Sequence, residues 1–166
     1  YASADAMERR SRSNYSISAN VESAGLLCSL LSHVFFPGEH SPNGQYSLWN
    51  IAYAQYLKGD LNYVRNLVVN ERTSFAFHVG FGIAWPYGNS SVLPFEKRYF
   101  AGGANSVRGW SVRSLGPGSF SGGDRRIDFI NQTGDLKLDM SAEWRTVLGG
   151  IFCGAFFVDA GNIWTL

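Results

Sequence analysis

No run of eighteen apolar residues occurs anywhere in this chain, so no transmembrane helix can be drawn on it, although a crossing made of strands stays open. Charge is scarce too. Only 16% of the 166 residues are charged while 15% are aromatic, a balance that points to apolar surface beyond an ordinary soluble core. A formal net charge of +1, with the basic residues dispersed, excludes a nucleic-acid partner. The two cysteines, Cys28 and Cys153, lack metal-ligand spacing; a disulfide stays open in an oxidising compartment, and two unpaired packing residues is the simpler reading. His33, His40 and His78 show no metal or catalytic spacing, and His78 reads as a polar residue of a strand face. Neither the lysine spacing of a P-loop nor the glycine fingerprint of a dinucleotide fold is present, and the serines around Ser106 lack a nucleophile elbow and a base. These absences give nucleotide, cofactor and hydrolase chemistry little support, so no enzyme, metal or cofactor is expected. No helix-period segment, internal repeat or low-complexity tract stands out.

What is present is alternation. From Thr73 to Trp85 the residues Phe75, Phe77, Val79, Phe81, Ile83 and Trp85 share one face, and Ser74, Ala76, His78, Gly80, Gly82 and Ala84 the other. The pattern recurs from Asp135 to Arg145, where Leu136, Leu138, Met140, Ala142 and Trp144 oppose Lys137, Asp139, Ser141, Glu143 and Arg145. In Phe152–Gly161 it is less clean, with Asp159 the single charge. Tyr15–Glu22 and Leu57–Tyr63 complete five candidate strands. A mean hydropathy of −0.09 agrees, because a strand between lipid and a wet lumen is apolar only at every second position. The connectors are unequal: the turn cluster Pro37 to Gly44, the short Asn70-Glu71-Arg72, a long glycine-rich stretch after Trp85, and the tight Gly149-Gly150. Trp85, Tyr87, Trp144 and Trp164 fall near strand ends, where an interfacial aromatic girdle belongs. The expected fold is therefore all-β, an antiparallel transmembrane β-barrel with a long loop on one side.

The glycine-rich stretch carries the most information. It runs from Phe95 through Arg98-Tyr99-Phe100-Ala101-Gly102-Gly103 to Val107-Arg108-Gly109-Trp110, and on to Leu115-Gly116-Pro117. Glycines at 102, 103, 109, 116 and 118 permit positive φ and close packing, so a polar loop can fold compactly around one arginine, Arg108.

Together with Phe156-Phe157-Val158-Asp159-Ala160-Gly161-Asn162, this stretch resembles the surface-antigen barrel of the BamA and TamA outer-membrane assembly family. The resemblance covers the whole chain, 1–166, as a partial barrel domain: about the ninth to thirteenth of sixteen strands, a piece of a longer protein that cannot close alone. It implies a long extracellular loop, about 86–131, folded into the lumen and carrying the motif Val107, Arg108, Gly109 and Trp110 beside the loop glycines Gly102, Gly103 and Gly116. Glu143 and Asp159 match the family's acidic partners of that arginine, and the alternation places both on the lumen side. Two carboxylates on adjacent strands suit a guanidinium fork, which would make a latch and not a catalyst. The implied function is folding and insertion of other outer-membrane proteins in the bacterial cell outer membrane. The implied partners are unfolded outer-membrane proteins, outer-membrane lipids and accessory assembly lipoproteins.

Plainer readings stand beside these. Arg108 could be a solvated loop arginine, and Glu143 and Asp159 ordinary lumen-lining charges. A two-partner secretion pore of the same superfamily, a passive porin, and the barrel anchor of a surface lipase are the competing functions.

Overall fold

The computed structural model of the chain describes residues 13–35, 45–48, 51–120 and 132–166. Its main element is one antiparallel five-stranded sheet: β1 (Asn14–Ala24), β4 (Tyr56–Asn70), β5 (Thr73–Pro86), β6 (Leu136–Gly149) and β7 (Phe152–Trp164), hydrogen-bonded in that order. Between β1 and β4 come the helix α1 (Leu26–Phe35) and a small two-stranded ladder of β2 (Ser47–Leu48) and β3 (Ile51–Ala52). Short turns join β4 to β5 and β6 to β7, each beside a bulge, at Val68/Asn70 and at Val147/Gly149. The expected turn cluster Pro37–Gly44 and the loop's portion 121–131 lie outside the described residues.

The expected all-β fold, a partial transmembrane barrel of about five strands, is corrected in two respects. The chain is mixed, because α1 is a ten-residue helix. Its signal is a pair of apolar residues repeated every four, Leu26-Leu27, Leu30-Leu31 and Val34-Phe35, which follows the 3.6-residue period and not the strand's period of two. Gly25, at φ 80°, accepts the first helical bond from the Ser29 amide. The sheet, moreover, is open: β1 and β7 are its two edges and do not pair with each other. Closure requires the edge strands to meet with matching tilt and stagger, and here the two edges stay apart. Among the described residues the sheet does not close into a barrel.

Register places each row of side chains across the sheet. The row Val79, Met140 and Ala160 meets Tyr63 and Ile17 on one face; His78, Ser141 and Asp159 meet Val64 and Ser16 on the other. The first face is left open, with Phe77, Val79, Phe81, Ile83 and Trp85 between 37% and 56% exposed. Its opposite is covered: Gly80, Gly82 and Ala84 of β5 are buried, as is Asp139 of β6. The cover is the loop after β5, and the buried cluster of Tyr56, Ala84, Leu93, Tyr99, Ala101 and Ile163 sits where that loop meets the end of the sheet. Glycine makes the space. A Cβ at Gly82 would come within 2.6 Å of the Tyr99 ring, and one at Gly80 within 2.7 Å of the Asp139 carboxylate.

Ile163 is fully buried between loop and sheet. Ile163→Ala should lower stability by about 2–5 kcal/mol through lost burial and the residual cavity. Ile151→Ala, at a position 92% exposed, should stay within about 0.5 kcal/mol. Denaturant midpoints of the two variants in the full-length protein would test this, and equal shifts would show that the loop does not pack as described.

Candidate functional site: the arginine of the long loop

Arg108 reaches β6 and β7 from a short finger of the loop. The finger is closed by Gly103 N–H donating to the Trp110 carbonyl at 2.8 Å, and its turn by Trp110 N–H donating to Val107 at 3.1 Å. Gly102 has φ 101°, and a side chain there would run into the Ser111 carbonyl, so glycine is required at that position. Gly103 and Gly116 also have positive φ. Gly109 does not, and a Cβ there meets nothing within 4 Å, so the structure supplies no steric reason for glycine in the middle of the motif. Val107 is buried and Trp110 is half-exposed.

The guanidinium is held on three sides. Its Nε and Nη2 donate to Asp159 Oδ2 and Oδ1, each at 2.7 Å, and the Arg108 backbone N–H donates to the same carboxylate at 3.0 Å. Nη1 donates to Glu143 Oε2 at 2.9 Å. The plane of the group lies over the Phe157 ring, 3.6 Å from its centroid, an arrangement that adds a cation–π contact to the fork. Glu143 is shared: its other oxygen accepts from Arg145 Nε at 2.6 Å. The side chain of Asp159 is 4% exposed, that of Glu143 16% and that of Arg108 27%. Hydrogen bonding to Asp159 first, and to Glu143 second, raises the Arg108 pKa further above its already high ordinary value. The cation is therefore permanent.

Strand geometry explains why these residues meet. Glu143 pairs with Phe157 across β6 and β7, and Asp159 stands two residues along on the same face, so the two acids and the ring form one patch. Phe157 and Arg145 were not singled out from the sequence, although each lies two positions from a named acid and thus on its face. The pairings of Tyr99 with Asp60 and of Lys97 with Glu22 were missed as well. Their contacts join distant segments, and no periodicity marks them. Tyr99 O–H donates to Asp60 Oδ1 at 2.7 Å, and Lys97 pairs with Glu22, which also accepts from the Tyr56 hydroxyl at 2.6 Å. Among the described residues, no three His, Cys, Asp or Glu side chains group as metal ligands.

Asp159 accepts three bonds from Arg108 where Glu143 accepts one, so the two acids are unequal. Asp159→Ala should lower stability by about 2–3 kcal/mol, below the loss expected of a fully buried pair, and Glu143→Ala by about 1 kcal/mol. Arg108→Lys should behave like Arg108→Ala, because an ammonium supplies neither the fork nor the planar stack. Unfolding in denaturant, followed alongside protease resistance of the loop, measures all four variants. Equal losses at the two acids, or rescue by lysine, would contradict this geometry.

Comparison with known proteins gives the family context. A model described as the Omp85 superfamily domain matches residues 30–166. The outer membrane protein assembly factor BamA of Neisseria meningitidis serogroup B is 33% identical over 88 residues, 50% of this chain and 11% of that protein. The sorting and assembly machinery component 50 homolog of Homo sapiens is 31% identical over 128 residues, 68% of this chain and 26% of its own length. The chain thus spans about a tenth and about a quarter of these two relatives. The narrower assignment to a barrel fragment of the bacterial BamA and TamA family is corrected accordingly. Low identity is divided between a bacterial and a human protein, which supports the superfamily level, and the open sheet with its helix is not a closed barrel.

Proposed function

The chain belongs to the Omp85 superfamily, and we propose that it is part of a longer outer-membrane protein that folds and inserts other outer-membrane proteins. The observation that carries this reading is the loop arginine held by acids of two adjacent strands. A loop that only covered the sheet would need no such fork; one tied by three charge-assisted bonds to a single carboxylate is kept in a defined place. The motif Val107 to Trp110, with Gly102, Gly103 and Gly116 shaping its approach, acts as a latch on Glu143 and Asp159. Its role is mechanical. The relative from Neisseria is named as an assembly factor, and its likeness favours this function over a secretion pore, a porin or a lipase anchor.

On this proposal the protein resides in an outer membrane, and the bacterial cell outer membrane is the narrower reading. Its partners are unfolded outer-membrane proteins and the surrounding lipid, with accessory assembly lipoproteins beside them. Its contribution to insertion is positional, because backbone groups entering an apolar medium need partners from the start, and a loop held in register keeps a neighbouring strand surface ready to supply them.

Depletion of the full-length protein in its own cell should reduce the folded fraction of several unrelated outer-membrane barrels, read by heat-modifiable gel migration. Complementation with Arg108→Ala should restore that fraction only in part. If unrelated barrels fold normally while a single exported substrate or a solute flux is lost, the assembly reading fails and the protein is a dedicated pore.

A further inference from the structure

The loop touches the sheet at several places besides the arginine, among them Lys97 at Glu22 and Gly118 at Asn162 and Ile163, and two of its contacts are set by buried or half-buried side chains of its own, Tyr99 and Arg108. The first lies over β4 and β5. Tyr99 is 7% exposed and its ring rests against Gly82, where a Cβ would approach within 2.6 Å. Its hydroxyl donates to Asp60 Oδ1 at 2.7 Å and lies 3.1 Å from the Gly59 carbonyl. The Lys58 ammonium stands 4.3 Å over the ring. The backbone is fixed as well, since Tyr99 and Gly134 exchange two N–H···O bonds at 2.8 and 2.9 Å.

From this point the chain goes out and returns. Ala101, fully buried, bridges to Leu115, and the Arg113 guanidinium comes back over the Phe100 ring at 4.6 Å. Residues 103–110 are the excursion between these contacts, closed at the base by the Gly103–Trp110 bond and carrying Arg108. The loop has a root and a tip. The root is held by aromatic burial and by Asp60, the tip by Glu143 and Asp159, and the two groups of partners share no residue.

We infer that Tyr99, seated on Gly82 and bonded to Asp60, is a second anchor of the loop that holds its root independently of Arg108, so that loss of the arginine contact frees the tip alone. This refines the latch of the proposed function and rests on that reading for its biological meaning, while its geometry stands by itself. An Arg108 that lets go would swing as a finger from a fixed base and could find Asp159 again without refolding the loop.

Amide hydrogen exchange of the full-length protein, read by mass spectrometry on peptides covering 95–101 and 103–110, tests this. Arg108→Ala should speed exchange in 103–110 by about tenfold or more, the loss expected for charge-assisted bonds, and leave 95–101 within about twofold. Tyr99→Phe keeps the ring in its seat and removes the hydroxyl bonds; it should speed 95–101 by about tenfold and leave 103–110 close to wild type. Asp60→Ala should repeat the Tyr99→Phe pattern. Release of both segments by Arg108→Ala would mean one cooperative latch and would overturn the second anchor, as would an unchanged 95–101 in both root variants. The exchange pattern does not depend on whether the protein folds other barrels. Folded-barrel levels in the same strains would judge the function separately.

Discussion

Charge on the covered face of the sheet is the constraint from which the rest of the structure follows. An ordinary half-exposed sheet turns its apolar side chains inward and its polar ones to water. Here β5 does the reverse, with Phe77, Phe81 and Trp85 open and His78, Gly80 and Gly82 on the opposite face, where Asp139 crowds Gly80 and the Tyr99 ring covers Gly82. Buried ions must be paired, because an isolated one pays a desolvation penalty of several kcal/mol. Asp139, only 3% exposed, is met by Lys137 at 3.3 Å, and His78 stands 3.8 Å away. Asp60 finds the Tyr99 hydroxyl, and Asp159 finds Arg108. Two of these three acids depend on the loop, which is therefore as much a part of the sheet's electrostatics as a sixth strand would be.

Packing and charge divide the loop between them. At the root, burial dominates: Tyr99, Ala101 and Leu93 join Ile163 and Ala84 in one apolar cluster, and burial comes before the Asp60 hydrogen bond among the causes that push the Tyr99 hydroxyl pKa up. Burying one such side chain is worth about 1.5–3 kcal/mol, and several act together here. At the tip, Trp110 and Val112 stay exposed, and the ion pairs with one ring contact hold Arg108. The Lys97–Glu22 pair is more than a third exposed on both sides and adds little by comparison, as surface pairs do. The strength of attachment thus falls along the loop from root to tip.

The parts legible in the sequence were those governed by local period. Alternation located all five long strands and placed Glu143 and Asp159 on one face, because a strand reports its own two faces residue by residue. The helix Leu26–Phe35 was equally local and was passed over: its apolar pairs give a four-residue repeat broken by Ser29, Ser32 and His33, which a reading for strand alternation does not register. The reading of those strands as part of a membrane barrel went beyond what alternation carries. Alternation says which way a side chain points and nothing about how many strands join or whether the two edges meet. The seat of Tyr99 on Gly82 was also hidden, since seventeen positions separate the two in sequence and the contact has no period. A glycine facing the polar side of a strand does hint that something must come close, and here that something is a ring.

The tip itself is balanced in charge. Arg108 and Arg145 face Glu143 and Asp159, two cations against two anions, with Glu143 bonded to both arginines. Such a quartet can lie half-buried because no net charge is taken out of water and each oxygen pair has a donor. Removing Arg108 upsets this unevenly. Glu143 would keep Arg145, whereas each of the three bonds described for Asp159 comes from Arg108. Asp159 would then be a carboxylate on a covered strand face with no cation, and water would have to enter for it to stay ionised. The acid on β7 therefore ties the position of the loop to its own hydration: a seated loop keeps Asp159 paired and nearly out of water, and a lifted loop wets it.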